Sequence, residues 1–431
     1  MPRKYTRHTT RENGQSIIIA VLLFAFGSFV FIGGVTSTML ADIQEVGALT
    51  RSKQSFYLSE GSLEDVVYRV QNALTVATVE TLTIDGHTAT TTVADITGGK
   101  SITALGNTAA LIRTSQVNVL EGSGVAFFYG MQSDKGGVLL ENFALIQGNV
   151  FSNGPVTGQN NNLVKGDVIS AGPSGFVDNV HSTSSVFAHT IQNSTVEGDA
   201  YYQIISGTTV SGTEFPGSED QATSTLPISD QQISDWETDA EAGGVISSPC
   251  PYEIENDTII GPVKITCNLI IKGDPTVTLS GVIWVTGNID IENTATIRVS
   301  PSLGAKSVPV IADDPLNRES GSEIGLKNNT VFQGSGTPGS YVMFISQNNS
   351  AENGGNNDAI EVENSAQGDL LVYAAHGEIL IANDIEVKEV AAYKIHVKNN
   401  AEVIYESGLA NILFSAGPSG GFEILSWKEI E

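Results

Sequence analysis

The chain has 431 residues, a formal net charge of −27 and two cysteines, with 45 glycines and 16% charged residues. This composition is typical of a turn-rich protein built mainly of β-strands. The strong negative charge would repel nucleic acid phosphates, so we expect no nucleic-acid partner.

An uncharged, apolar segment near the N-terminus is long enough to cross a bilayer. No charged residue occurs from Gln15 to Ala41, and residues 17–35 are mostly aliphatic, aromatic or small. About twenty such residues span the hydrocarbon core as a helix, so we predict a transmembrane span at about residues 17–40. Residues 1–14 contain four basic residues against one acid. The positive-inside rule then predicts a cytoplasmic leader over 1–14 and an extracytoplasmic head.

A cleaved secretory signal is the alternative interpretation of this segment. The apolar run is longer than the core of a usual signal peptide, and no small-x-small cleavage site follows it convincingly. The sequence therefore favours a retained anchor in the cytoplasmic membrane.

The helical pattern continues beyond the predicted span. Apolar residues recur at steps of three, four or seven as far as Leu74, with charged residues interspersed. We therefore predict one helix over residues 15–75, about 90 Å long at the standard rise.

Two segments of this helix resemble the type IV pilin-like proteins and, among these, the PilX-type minor pilins. In the first segment, a short basic leader ending in Gly14 precedes Gln15, Ser16 and the apolar run that starts at Ile17. In the second segment, residues 51–65 match a stretch of that family in residue type and spacing. The resemblance covers roughly the first 75 residues.

This resemblance implies processing and assembly. In that family a prepilin peptidase cuts after the leader glycine and methylates the new N-terminus, which implies cleavage between Gly14 and Gln15. It also implies that the helix packs with other pilin-like subunits. The fifth position after the cut is Ile19, where major pilins often carry Glu, and this difference favours a minor subunit. The alternative is an uncut, single-span membrane anchor.

After the helix, residues 76–130 change to strand-like alternation. Two alternating runs flank Asp85 and Gly86, and an Asp-Gly pair in this position predicts a β-hairpin. The fold class expected for the whole chain is mainly β: a long N-terminal helix, a hairpin region and a repetitive head.

Repeated Gly-Asn and Gly-Asp units follow from residue 131. They lie within short apolar segments, for example at Gly148, Gly166, Gly198, Gly287 and Gly368. Short strands at near-regular spacing predict a parallel β-solenoid, with positive φ at each Gly-Asx corner. A β-sandwich is the alternative.

We divide the head into a lobe over residues 131–227, a short helical linker over 228–244 and a second lobe over 245–431. The linker is predicted from the acidic helical segment 228–242, which is followed by two glycines. The motif Ala-Gly-Pro-Ser-Gly occurs at residues 171–175 and again at 416–420. We expect residues 417–427 to cap the open end of the second lobe.

Cys250 and Cys267 have no His or Cys neighbour at zinc-ligand spacing. In an exported head they are expected to form a disulfide, which would stabilise the fold by roughly 3 kcal/mol. Two free buried thiols are the alternative.

The sequence contains no recognisable catalytic motif, so we expect neither an enzyme nor a cofactor or metal site. The acid pairs Asp313 with Asp314, Glu361 with Glu363, and Asp384 with Glu386 have no motif that places a base or an Arg beside them. Acids that alternate along a strand usually mark its solvent-facing side.

Two further groups of polar residues are interpreted as ordinary surface. His181 and His189 share one loop-rich stretch, and the Asn- and Gly-rich run over residues 348–358 lacks the spacing of a calcium loop. We therefore expect a surface loop at this run rather than a calcium site.

The sequence therefore predicts a non-enzymatic, membrane-anchored surface protein, a minor pilin-like component with a role in pilus assembly or adhesion. Its expected partners are the lipid bilayer, other pilin-like subunits and a prepilin peptidase. The alternative is a membrane-tethered β-helix enzyme that acts on extracellular polysaccharide, which would require acids clustered in a groove on one face of the head.

Overall fold

The structure is a computed structural model that describes residues 13–71, 76–96, 99–121, 124–125, 127–406, 409, 412–415 and 422–430. The chain divides into two compact units. The helix–sheet unit comprises the N-terminal helix to Tyr68, Val76–Val119 and the C-terminal residues from Ile424. The head comprises Leu120–Glu423 together with Arg69–Thr75.

The N-terminal helix, α1, runs without interruption over Asn13–Gln71, which is 59 residues. The sequence predicted a helix over 15–75, and the single long apolar helix is confirmed. Leader residues 1–12 and residues 72–75 lie outside the described part of the chain.

An antiparallel sheet makes up the rest of the helix–sheet unit. Its first four strands are β1 (Val79–Ile84), β2 (His87–Ile96), β3 (Gly99–Thr108) and β4 (Leu111–Glu121). The predicted hairpin is present: Ile84 pairs with His87, and both Asp85 and Gly86 have positive φ, as a tight two-residue turn requires. The fifth strand, next to β4, is the C-terminal strand Phe422–Ile430.

The second half of α1 packs closely on this sheet. Leu63 and Val66 are buried together with Ile102 and Val117 of the strands. The closest approach is at Gly106 of β3, where an added Cβ would lie 2.0 Å from the carbonyl oxygen of Ser55. Small side chains on both surfaces therefore allow the helix backbone to lie directly on the strands.

Hydrogen bonds between hydroxyl groups fix the position of the helix on the sheet. Ser55 Oγ donates to the carbonyl of Leu111 over 2.5 Å, and Ser59 Oγ lies 3.1 Å from Ser115 Oγ. Ser62 Oγ lies 2.7 Å from Thr91 Oγ1. Because these hydroxyls are buried, each would carry a desolvation cost without its partner.

The predicted C-terminal cap over residues 417–427 is wrong for residues 422–427, whereas residues 417–421 lie outside the described residues. The C-terminal strand instead completes the sheet beside β4. Arg113 Nη1 of β4 pairs with Glu429 Oε1 at 2.9 Å, and the indole nitrogen of Trp427 donates to Glu60 Oε2 of α1 at 2.8 Å. The unpaired edge of β4 is the physical reason: it offers backbone hydrogen bonds to a last strand.

The head is built from two series of short strands joined through helix α2 (Asp230–Gly243). The strands of the first series are β5 (Gly124–Val125), β6 (Met131–Leu140), β7 (Leu145–Gln147), β8 (Val150–Ser152), β9 (Val156–Gly158), β10 (Leu163–Val164), β11 (Val168–Ser170), β12 (Phe176–Asp178), β13 (His181–Ser182), β14 (Val186–Gln192), β15 (Thr195–Val196), β16 (Ala200–Ser206), β17 (Thr209–Val210) and β18 (Glu214–Pro216).

Among the described residues, the second series contains twenty strands and one 3₁₀ turn, Pro301–Leu303. Its strands are β19 (Val245–Ile246), β20 (Tyr252–Ile254), β21 (Thr258–Ile260), β22 (Val263–Ile265), β23 (Leu269–Ile271), β24 (Thr276–Leu279), β25 (Ile283–Val285), β26 (Ile289–Ile291), β27 (Thr296–Val299), β28 (Lys306–Ala312), β29 (Ile324–Leu326), β30 (Val331–Gln333), β31 (Val342–Ser346), β32 (Asp358–Glu363), β33 (Gln367–Gly368), β34 (Leu370–Ala382), β35 (Glu386–Val387), β36 (Glu389–Lys398), β37 (Glu402–Ile404) and β38 (Ile412–Phe414).

Parallel pairing in constant register dominates the head. Val150, Val168, Val186 and Ala200 occupy one register position in four successive strands. The same pattern repeats in other ladders, and the inward-facing aliphatic side chains form one continuous core. The predicted parallel, β-rich head is therefore present.

The chain enters this stack in its middle. Val390 of β36, late in the second series, pairs with Met131 of β6, and Met131 pairs in turn with Val150 of the first series. The two series therefore form one contiguous stack. The short helix predicted at 228–244 is present as α2, which packs on the outer side of β22, β25 and β28. It does not divide the head into two lobes, because the strands on both sides of it belong to one compact unit.

Asparagines, rather than the predicted glycines, turn many corners of the head. Asn142, Asn160, Asn364, Asn383 and Asn399 all have φ between 49° and 71°. Their amides bond from one turn of the stack to the next, for example Asn399 Nδ2 to Asn383 Oδ1 at 3.0 Å. Asn tolerates the left-handed conformation because its side chain can hydrogen-bond locally.

The Gly-Asx glycines mostly serve close packing instead. Gly166 and Gly198 do not have positive φ. A Cβ on Gly166 would lie 2.4 Å from the carbonyl oxygen of Gly148 in the preceding turn of the stack. Glycine is needed there because the backbones of successive turns nearly touch.

We expect Gly106→Ala to destabilise the helix–sheet unit by about 1–3 kcal/mol, because the new methyl group collides with the α1 backbone. Gly61→Ala is the matched control: Gly61 is exposed in α1 with no neighbour within 4 Å of an added Cβ. It should stabilise the helix by about 0.5–1 kcal/mol. Thermal unfolding of both full-length variants in detergent gives the comparison, and a lower melting temperature for the Gly61 variant would contradict this account.

Candidate functional site

The first half of α1 presents a continuous apolar surface. Leu23, Phe24, Phe29 and Phe31 are all exposed, Phe24 at 79%. Within the described residues, α1 is the one helix long and apolar enough to span a membrane. By length and composition, a helix with such a surface is able to cross a membrane.

The predicted cleavage residues lie at the start of this helix. Gly14 and Gln15 follow Asn13 in the first turn of α1. The basic leader that a peptidase would remove lies outside the described residues, and cleavage stays a prediction.

Cys250 and Cys267 are joined by a disulfide, with their Cα atoms 5.8 Å apart. This bond links the segment before β20 to the segment before β23, two strands that pair in parallel. It therefore connects neighbouring turns of the head.

The three predicted acid pairs lie in different surroundings. Asp313 is fully buried, and its carboxylate accepts two hydrogen bonds from Arg318, at 2.7 and 2.6 Å. The interpretation of these acids as solvent-facing is therefore wrong for Asp313. Its neighbour Asp314 accepts from the backbone of Leu316, which shapes a local turn.

The other two acid pairs lie at the surface of the head. Glu361 pairs with Lys327. Asp384 occupies a corner with φ of 58° and accepts from Asn400, whereas Glu386 pairs with Lys388 at 2.9 Å. Glu363 lies half-buried at the end of β32.

Four carboxylates from successive turns line one surface groove of about 330 Å³. The parallel register aligns Asp290 with Gly325 and Gly325 with Glu361. Glu323 and Asp358 also line the groove, and Lys327 is the cation that pairs with Glu361. A Cβ added to Gly325 would lie 3.1 Å from Asp290 Oδ1 and 3.3 Å from Lys327 Cε, so glycine at this position lets both side chains lie close over the strand.

The groove suppresses ionisation of several of its acids. Burial, and then the carboxylates of Glu378 and Glu361, raise the pKa of Asp358 to about 6, which Lys398 and Lys394 oppose. Burial likewise raises the pKa of Asp290 and of Glu323, and nearby carboxylates raise both further. Asp358 therefore changes its protonation state near pH 6, at mildly acidic pH.

The sequence identified only Glu361 of this set. Asp290, Glu323 and Asp358 lie on different turns of the stack, separated by more than thirty residues, and only the strand register brings them together. The spacings of these three acids, 33 and 35 residues, are too long for a sequence pattern to distinguish them from the many other acids of the chain.

The Asn- and Gly-rich run is hydrogen-bonded to the neighbouring segment 319–321. Asn348 is buried, and its amide donates to the carbonyl of Gly321 at 2.8 Å. Asn357 donates to the carbonyl of Glu319. Among the described residues, no group of three or more His, Cys, Asp or Glu side chains is arranged to hold a metal ion.

The two predicted histidines are both paired with acids. His181 Nε2 lies 2.9 Å from Glu197 Oε1, and His189 Nδ1 lies 3.1 Å from Asp220 Oδ1. These pairs link separate segments of the head surface, and the structure does not bring the two histidines into one site.

Comparison with known proteins gives little guidance. No protein-family model matches the chain, and no curated protein matches it. Among solved structures, the crystal structure of the competence-associated pilin ComZ from Thermus thermophilus is similar at 11% sequence identity with a TM-score of 0.26. This alignment covers 88% of the present chain and 98% of that chain.

We expect Lys327→Met to destabilise the head at pH 8 by roughly 1 kcal/mol, because it removes the cation that pairs with Glu361 in the groove. The pKa of Asp358 in the groove is raised to about 6, so its contribution to stability falls as the pH rises from about 4 through about 6. The effect of the substitution should therefore be smaller at pH 5.

The control is Lys272→Met, whose exposed ion pairs with Glu253 and Glu255 lie elsewhere on the head. Melting temperatures at pH 5 and pH 8 give the comparison. An equal loss at both pH values for Lys327→Met would contradict the electrostatic account.

Proposed function

We propose that this chain is a minor, PilX-type pilin-like protein, anchored by α1, whose head contributes to pilus assembly or adhesion rather than catalysis. The observation that carries the proposal is that the two halves of α1 have different surroundings. Its second half is buried on an antiparallel sheet, whereas its first half exposes apolar side chains along its length. This division suits a helix that moves from the bilayer into a bundle of similar helices.

The construction of the head supports a role in presenting surface. The parallel ladders and the continuous aliphatic core favour a β-solenoid. Such a stack has a large outer surface for its mass, and its many acids keep that surface solvated. In this proposal the partners are the lipid bilayer and other pilin-like subunits.

The first test is N-terminal processing. When the chain is expressed together with a prepilin peptidase, intact mass and N-terminal sequencing should show a product that begins at Gln15, and expression without the peptidase should leave it uncut. Gly14→Val should abolish the cut. Gly27→Ala, a change within α1 where an added Cβ meets no neighbour within 4 Å, should leave it unchanged. An uncut N-terminus in both expressions would reduce the protein to a plain membrane-anchored surface protein.

A second candidate function is cleavage of extracellular polysaccharide, favoured by the carboxylate groove alone. Glycoside hydrolysis uses one protonated acid and one ionised carboxylate, and a raised pKa distinguishes the two. Asp358, with its pKa raised to about 6, would be the acid.

This candidate predicts that the purified chain releases reducing ends from bacterial exopolysaccharide. Asp358→Asn should abolish the release, whereas Asp384→Asn, which lies outside the groove, should not. The absence of reducing ends with the unchanged chain would exclude this candidate and leave the pilin-like proposal intact.

A further inference from the structure

Helix α2 lies over the outer side of the head and covers an apolar surface there. Ile233, Trp236 and Ala240 are fully buried against the outward side chains of the strands, among them Met343 and Tyr373. The helix also carries the chain from the end of the first strand series to the start of the second. Its attachment therefore controls whether this apolar surface is covered.

The start of α2 is held by a histidine placed between two carboxylates. His376 Nε2 lies 3.1 Å from Asp230 Oδ1 of α2, and His376 Nδ1 lies 2.6 Å from Glu352 Oε2. Both ring nitrogens can donate only when the imidazole is protonated. Burial lowers the pKa of His376, but the hydrogen bonds to Asp230 and Glu352 outweigh it, and the pKa is raised overall.

The middle of α2 buries a carboxyl group against another acid. Glu237 is 8% exposed and faces Asp313, whose carboxylate is already bound by Arg318. Within the described residues, Glu237 Oε1 has no hydrogen-bond partner. Burial, and then Asp313, raise the pKa of Glu237 to about 8, whereas the charges of Arg318 and Lys264 oppose the shift.

We propose that α2 is a pH-sensitive strap, held on the head while His376 and Glu237 both carry their protons and released locally when they lose them. Loss of the His376 proton removes one of the two donors that join Asp230 and Glu352. Loss of the Glu237 proton places a second negative charge beside Asp313 in a site shielded from water. Both changes weaken the same helix.

The two groups act in the same pH direction. A histidine with a raised pKa contributes stability at low pH, and the contribution is lost as the pH rises through that pKa. An acid with a raised pKa loses its contribution as the pH rises from the unfolded value near 4.5 through about 8. The strap should therefore be closed at mildly acidic pH and loosened above pH 8.

Release of α2 would uncover the outward apolar side chains but leave the inner core intact. Trp284 and Tyr373 lie in the covered cluster, whereas the inward-facing aliphatic residues belong to a separate one. Release of the strap at alkaline pH would therefore expose an apolar surface without unfolding the head.

Hydrogen–deuterium exchange of the full-length protein in detergent, from pH 6 to pH 9, tests the proposal. The exchange rates are first corrected for the intrinsic rate at each pH. The protection factors of the α2 amides should then fall by about tenfold or more between pH 6 and pH 9. The reason is that each titrating group changes the opening equilibrium by up to tenfold per pH unit between its unfolded and folded pKa values. Those of strands β25 and β31 should change much less.

Three variants show which side chains are responsible for the pH dependence of α2 protection. Glu237→Gln, which cannot ionise, should keep α2 protected at pH 9, and His376→Gln should lower its protection already at pH 6. Asp235→Asn is the matched control, because Asp235 is an acid on the same helix whose hydrogen-bond donor, Gln231, carries no charge. Its pH profile should equal that of the unchanged protein.

Three results would overturn the proposal. The first is protection of α2 that does not change with pH, and the second is an unchanged profile in Glu237→Gln. The third is a parallel loss in α2 and in the inner strands, which would indicate global weakening. Glu389 could cause such weakening, because it is completely buried and burial raises its pKa well above its ordinary value.

Discussion

The head depends on one constraint: each turn of chain must place its aliphatic side chains directly above those of the turn before. Parallel pairing in constant register satisfies this requirement from Val150 to Ala200 and again through the second series. Because the backbones of successive turns lie so close, Gly166 must lack a side chain, and asparagines with positive φ turn the corners. Loops of different length are tolerated because they leave the stack between strands.

Entry of the chain into the middle of this stack determines the rest of the head. The first series builds outward from β6 in one direction, and the second series returns toward β6 from the other. The chain must therefore cross from one region of the stack to another, and α2 lies within that crossing. Its buried face is apolar at Ile233 and Trp236 but carries a carboxyl at Glu237. A charged group at this position costs stability when ionised, which makes the crossing segment sensitive to pH.

Features that depend on the local sequence pattern could be predicted from the sequence. The period of α1, the Asp85-Gly86 turn and the parallel, β-rich character of the head all follow from neighbouring residues. Features that depend on pairing between residues far apart in the sequence could not be predicted. The C-terminal strand was interpreted as a cap because nothing in its residues indicates that β4 needs a partner. Likewise, Asp290 and Glu361 share a groove because the strand register aligns residues that are far apart in the sequence. The contact of Asp313 with Glu237 of α2 also joins distant segments of the chain.

The head is inserted between two strands that are neighbours in one sheet. The chain leaves the helix–sheet unit after β4 and returns to it in the strand that hydrogen-bonds to β4. A single proteolytic nick in the head would therefore leave each fragment attached: one through the covalent link to β4, the other through the backbone hydrogen bonds of the last strand. Gain or loss of strands within the insertion would likewise leave this sheet unchanged, so the size of the head can vary independently of the helix–sheet unit.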